Sequence, residues 1–133
     1  MISQKLKTLF GFSVPLFVAH GLEEYFTGIY TVDSHVRFVF SFTEHMMPLQ
    51  ASFLLFQAMF WCTLIVSYTL ISGGRLALWT LAIPGFVFLY ELHHFYSAFE
   101  AGGYYPGLIT ALVFPVLGYF YWKEWLKVGG IRI

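Results

Sequence analysis

Four long apolar segments constrain the fold of this chain more than any other feature. Each is close to the roughly 20 helical residues that cross the hydrocarbon core of a bilayer. The segments cover residues 6–27, 49–72, 76–98 and 105–123. Glycines mark the two junctions between the last three segments, at Gly73-Gly74 and at Ala101-Gly102-Gly103. The pattern predicts an all-α integral membrane bundle of four transmembrane helices, with residues 1–133 forming a single domain.

The composition agrees with a membrane protein. Hydrophobic residues make up 59% of the chain and charged residues only 11%. The seven Lys and Arg are scattered singly and form no basic face, so we expect the lipid bilayer as partner and no nucleic acid. A cleaved signal peptide is the alternative for the first segment, because Lys5 and Lys7 precede its apolar core. That segment continues as Tyr25-Phe26 without a polar start to a mature chain, which favours a span. The sequence leaves the oligomeric state open.

The positive charges predict the orientation of the spans. Four spans place both termini and the loop after the second span on one side of the membrane. That side would carry six of the seven Lys and Arg, namely Lys5, Lys7, Arg75, Lys123, Lys127 and Arg132. Because positively charged loops are retained on the cytoplasmic side, we expect both termini in the cytoplasm. We expect the membrane itself to be a plasma membrane of the bacterial type.

The segment between the first two spans is less apolar than its neighbours. Residues 35–47 contain Glu44 and His45 among several phenylalanines, and we expect a short interfacial helix there. Asp33 and Arg37 stand at i and i+4, which predicts a pair of opposite charges on the surface.

Charged side chains inside two of the apolar segments indicate a functional site, because charge is costly in lipid. The first segment carries His20, Glu23 and Glu24 at i, i+3 and i+4, and the third carries Glu91 and His94 at i and i+3. Each set therefore projects from one face of its helix.

Depth places the two sets at the same level. With a rise of about 1.5 Å per residue, His20 and Glu91 each lie roughly 10 to 12 Å below the outer boundary of the membrane. The same count brings Gln57 of the second span and Thr110 of the fourth to this level. We therefore expect one polar layer to which all four helices contribute.

This residue set suits a divalent metal ion. Facing helices with Glu-x-x-His motifs bind metal ions in di-metal bundle proteins, and imidazole with carboxylate ligands favours zinc, iron or manganese. The predicted ligands are His20, Glu24, Glu91 and His94, with Glu44, His45 and His93 as further candidates. The favoured hypothesis is a metal-dependent membrane enzyme acting on a lipid-like or isoprenoid substrate, with Glu23 as catalytic acid or base.

Two alternatives use the same residues. A carboxyl group in an apolar pocket has a raised pKa and can protonate a substrate beside a histidine, which would make the protein a metal-free isomerase or cyclase. A hydrogen-bond network that only locks the helices together would make it a structural or partner-binding protein.

The motifs together resemble a known family. His20-x-x-Glu23-Glu24, Glu91-x-x-His94 and Tyr105-Pro106-Gly107-x-x-Thr110 are similar to the HXXEE family of small membrane proteins. The resemblance implies a multi-span membrane protein and no established reaction. Spacing from Glu91 favours His94 over His93 as the family's histidine.

More distant resemblances concern chemistry. The paired glutamates are similar to those of membrane lycopene cyclases, and the His/Glu set resembles that of the sterol isomerase fold; both protonate a double bond. Glutamate-based intramembrane proteases also carry a Glu-Glu motif, but the arginine that follows it there is missing from residues 25–28, which argues against a protease.

Overall fold

The computed structural model describes residues 2–39, 41 and 48–130, and this part of the chain is helical without any strand. The first helix, α1, spans Gln4–Thr27 and corresponds to the first predicted span. The Ser3 side chain caps it by accepting a hydrogen bond from the backbone N–H of Leu6 at 3.1 Å. The helix ends at Gly28, whose φ of 72° is the left-handed conformation that glycine adopts without strain.

Two short helices follow α1. Helix α2 spans Ile29–Val32 and α3 spans Ser34–Val39, with Asp33 in extended conformation between them. Helix α3 overlaps the start of residues 35–47, for which we predicted an interfacial helix. Glu44 and His45, predicted as further ligands, lie outside the described residues.

The two central spans have the clearest counterparts. Helix α4 spans Pro48–Ser72, and α5, α6 and α7 follow as Gly74–Thr80, Ala82–Tyr90 and His93–Ala101. Within the described residues, the helical stretches Ser52–Ser72 and Gly74–Ala101 are long and apolar enough to cross a membrane. The spans predicted over residues 49–72 and 76–98 thus coincide with helices that could cross a bilayer.

The last predicted span, residues 105–123, corresponds to two helices. Helix α8 spans Leu108–Ala111 and α9 spans Phe114–Val128. Within the described residues, the two helices long and apolar enough to cross a membrane do not include this region or α1.

Helix α9 is the centre of the packing. It contacts both α1 and α6, whereas α4 packs mainly on α5. Tyr121 of α9 is fully buried and donates its hydroxyl hydrogen bond to the Leu81 carbonyl at 2.8 Å. Among the described residues of α4, only Val66 contributes a buried apolar side chain to the core. Helices α1, α6 and α9 therefore form a packed unit, and α4 lies at its edge.

Candidate metal centre

Four side chains converge between α1 and the junction of α6 with α7. Glu91 Oε2 lies 3.0 Å from Nε2 of His20 and 3.0 Å from Nε2 of His94. Glu24 Oε1 lies 3.5 Å from the same atom of His20 and 3.3 Å from that of His94. One nitrogen or oxygen atom from each residue lies within 4.8 Å of those of the other three. The structure thus brings together the four residues that helical spacing selected.

The local structure explains this convergence. His20 and Glu24 stand one turn apart on α1, so their side chains share a face. Helix α6 ends at Tyr90, and Glu91 lies in the turn before α7 begins at His93. Across that turn Glu91 still reaches His94, which spacing favoured over His93.

The group is shielded from solvent to different degrees. The side chain of His94 is fully buried and that of His20 is 4% exposed. The carboxylates are more open, with side-chain exposures of 11% for Glu91 and 17% for Glu24. Glu24 is therefore the member of the group that a molecule outside the bundle reaches most easily.

Gly107 closes one side of the group. Its φ of +84° lies in the left-handed region. A Cβ atom at this position would lie 2.6 Å from Cε1 of His94 and 2.9 Å from Cε1 of His20. The turn before α8 can approach both imidazole rings this closely only because residue 107 is glycine.

Glu23 lies outside this group and binds the start of α8. Its carboxylate accepts hydrogen bonds from the backbone N–H groups of Ile109 and Thr110 at 3.0 and 2.8 Å. It also accepts from the hydroxyl groups of Thr110 and Tyr104, at 2.6 and 2.9 Å. Burial raises the pKa of Tyr104, and the neighbouring Glu23 carboxylate raises it further.

The Thr110 hydroxyl connects Glu23 to the four-residue group, because its oxygen is also 2.7 Å from Nδ1 of His20. The role of Glu23 as acid or base stays a prediction.

The polar layer comes from fewer helices than expected. Thr110 contacts the group, as its depth predicted, but Gln57 makes no hydrogen bond in the part of the chain that the structure describes. The expectation that all four predicted spans contribute was therefore wrong for α4. That helix packs mainly on α5, and where it approaches α1 beside the group it presents the apolar ring of Phe56 to Gly21.

A second polar cluster, formed by Asp33, Tyr105 and His93, was missed by the sequence analysis. Asp33 is 2% exposed and accepts the Tyr105 hydroxyl hydrogen bond at 2.5 Å. Nε2 of His93 lies 3.6 Å from Asp33, and its Nδ1 lies 2.9 Å from the Tyr90 carbonyl oxygen. His93 thus points away from the four-residue group, although its ring lies against that of His94.

The predicted surface position of Asp33 was also wrong. Asp33 is buried, whereas Arg37 is exposed. Asp33 lies in the extended link just before α3, where its carbonyl oxygen accepts a hydrogen bond from the Arg37 backbone N–H at 3.1 Å while its side chain is buried.

Comparison with known families places the chain. A family profile described as "Protein of unknown function with HXXEE motif" matches residues 12–121. The chain belongs to the HXXEE family. The matched range contains the His20-x-x-Glu23-Glu24 motif, Glu91, His94 and Thr110, so the resemblance seen in the sequence is confirmed. No curated protein and no solved structure matches the chain significantly.

Proposed function

We propose that His20, Glu24, Glu91 and His94 bind one divalent metal ion and that the ion serves a membrane enzyme acting on a lipid-like or isoprenoid substrate. The observation that carries the proposal is the convergence of four nitrogen and oxygen atoms within 4.8 Å of one another. Two of these residues come from α1 and two from the α6–α7 junction, so the helix packing itself builds the site.

The distances suit a small divalent ion. Ligand atoms at about 2.0 to 2.2 Å from zinc in tetrahedral geometry lie about 3.4 Å from one another. The four nitrogen-to-oxygen distances in the group are 3.0, 3.0, 3.3 and 3.5 Å. These four distances lie close to that spacing, and since the whole set of ligand atoms lies within 4.8 Å, the atoms would draw together on binding an ion.

The charges suit such an ion as well. Two carboxylates and two neutral imidazoles balance the charge of one divalent cation. A buried site requires this balance because uncompensated charge is costly in a medium of low dielectric constant. The absence of thiolates from the ligand set favours zinc, iron or manganese.

One observation favours a metal-free acid–base site as the second candidate. Nδ1 of His94 is buried and has no hydrogen-bond partner among the described residues. A ring protonated on Nε2 would donate to Glu91 or Glu24 and would leave only a lone pair at Nδ1. In that state the group is a set of carboxylates and imidazoles sharing protons, as an isomerase or cyclase of an apolar substrate requires.

The apolar surface supports the location in a membrane. Phe26 is 78% exposed, Ile71 is 86% exposed and Phe99 is 85% exposed, and they belong to three different helices. In the most apolar window of Ser52–Ser72, only 11% of the residues are buried by the rest of the chain. A helix that is apolar all round and left uncovered by protein needs an apolar solvent. We propose four spans, with both termini in the cytoplasm because that side would carry six of the seven Lys and Arg.

The surroundings of the group support an apolar substrate. An apolar molecule in the bilayer would meet the uncovered helices first and would reach the group at Glu24, its most exposed member. A bound divalent ion would polarise an oxygen of that molecule or of water.

Metal analysis of protein purified without chelators tests the proposal. We expect about one equivalent of zinc, iron or manganese in the wild type and its loss in the His94→Gln variant. The matched control is His93→Gln, because the neighbouring ring points toward Asp33 and should leave the metal in place. Less than about a tenth of an equivalent of any transition metal in the wild type would overturn the metal proposal.

Two further measurements separate the alternatives. Mass spectrometry of co-purifying lipids would identify the substrate class of an enzyme. A metal-free enzyme predicts that Glu24→Gln abolishes turnover of that molecule while thermal stability is kept. A structural protein predicts that no small molecule co-purifies and that His20→Ala lowers thermal stability or assembly.

A further inference from the structure

The carboxylate of Glu23 is held by four hydrogen-bond donors. Two are backbone N–H groups at the start of α8, which can only donate, and two are the hydroxyls of Tyr104 and Thr110. Hydrogen bonds of this kind stabilise the ionised form of a carboxyl group. Glu23 is therefore an acceptor toward all four of its partners.

The direction of the Thr110 hydrogen bond follows. Its hydroxyl oxygen lies 2.6 Å from the Glu23 carboxylate and 3.3 Å from the Gly107 carbonyl oxygen. Both of these oxygens only accept, so the single hydroxyl hydrogen of Thr110 points to one of them. The shorter bond, to the charged acceptor, is the stronger one.

The third neighbour of that hydroxyl must then be a donor. Nδ1 of His20 lies 2.7 Å from the Thr110 oxygen, which has only lone pairs left to offer. We infer that Glu23, acting through the Thr110 hydroxyl, holds His20 with its proton on Nδ1 and leaves Nε2 as the ring atom that faces Glu24, Glu91 and His94. Without an ion, the proton of the 3.0 Å contact between Nε2 and Glu91 then lies on the carboxyl group. This inference deepens the proposed metal centre and rests on it for its functional meaning.

The arrangement gives Glu23 a positioning role. A histidine that binds a metal ion commonly donates its other ring N–H to an oxygen acceptor, which fixes the tautomer and the ring orientation. Thr110 supplies that oxygen for His20, and Glu23 fixes the hydroxyl of Thr110. Glu23 thus acts on the centre through two hydrogen bonds, and Glu24 contacts the imidazole nitrogens directly.

Nitrogen NMR of the imidazole rings tests the inference. The protein is labelled with ¹⁵N-histidine and freed of metal, and the ring of His20, assigned from its loss in His20→Gln, is measured at a pH where it is neutral. We expect the proton on Nδ1 in the wild type and in Thr110→Ser, which keeps the hydroxyl. Thr110→Val has nearly the same shape but no acceptor, and we expect the proton to move to Nε2, facing the carboxylates.

Zinc titration of the same three proteins supplies the second measurement. Loss of such an outer hydrogen bond typically weakens metal affinity by about 10- to 100-fold, which we expect for Thr110→Val, with Thr110→Ser close to wild type. A proton on Nε2 in the wild type, or an unchanged tautomer and affinity in Thr110→Val, would overturn the inference while leaving the metal centre standing. An Nδ1 proton that depends on the Thr110 hydroxyl in a protein that binds none of zinc, iron and manganese would support the tautomer assignment and overturn the metal centre instead.

Discussion

Replacing Gly107 by alanine tests the close approach of the α8 turn to the proposed metal centre. The added Cβ would lie 2.6 Å from Cε1 of His94 and 2.9 Å from Cε1 of His20. Because carbon atoms in contact lie about 3.5 to 4.0 Å apart, the rings or the turn must move by about 1 Å. Metal sites tolerate deviations of about 0.2 Å in ligand distance, so this displacement should separate the ligand atoms from the ion. We expect zinc affinity to fall at least about tenfold.

The backbone contributes a second cost that must be separated from the first. With a φ of +84°, alanine at position 107 pays about 1 to 2 kcal/mol for the left-handed conformation. Gly102 provides the matched control, because its φ is +66° and an added Cβ there would have no atom within 4 Å. Gly102→Ala therefore carries a similar backbone cost without touching the centre.

Thermal unfolding and zinc titration of the two variants in the same detergent give the readout. Both should lose stability through the backbone, but only Gly107→Ala should lose zinc affinity and the stabilisation that zinc provides. The reasoning is refuted if Gly107→Ala binds zinc as tightly as the wild type. It is equally refuted if Gly102→Ala loses as much affinity as Gly107→Ala.

Two further predictions concern packing and membrane location. In Gly118→Ala the added Cβ would lie 2.9 Å from Cβ of Phe88, and such overpacking typically costs about 1 to 3 kcal/mol of unfolding free energy. In Gly11→Ala the added Cβ would have no atom within 4 Å, and the alanine should instead stabilise α1 by about 0.5 to 1 kcal/mol. Equal thermal stability of the two variants would contradict the close packing of Gly118 on Phe88. Cys62 is exposed on α4, and if that helix spans the bilayer, a membrane-impermeant maleimide should label it only after denaturation. Labelling in intact vesicles would argue against the span.

The parts of the site that the sequence predicted depend on helical periodicity. His20 with Glu24, and Glu91 with His94, are one turn apart, and the spacing of 3.6 residues per turn places each pair on one face whatever the rest of the fold does. Charge within apolar segments then indicated that the two faces meet. The all-helical fold and the family are likewise confirmed, because apolar segment length and short motifs are local properties.

The parts that were missed depend on breaks in the helices. Asp33 is buried because the chain leaves the helix at that residue, and no periodic pattern describes where such a side chain points. Gly107 stands near both histidines because of a turn preceding a helix of only four residues. A Tyr-Pro-Gly sequence indicates a turn, but the neighbours of that turn are set by long-range packing of α8 on α1.

The two adjacent glutamates show where local reasoning ends. Successive residues of an α-helix point about 100° apart, so Glu23 and Glu24 cannot both face α7. Helical spacing from His20 suits either of them, because i+3 and i+4 both lie on the same side of the helix. What separates them is α8, whose backbone N–H groups bind Glu23 and leave Glu24 to the imidazoles. The paired glutamates of the motif thus serve two different hydrogen-bonding partners, and only the position of the last helices decides which residue takes which one.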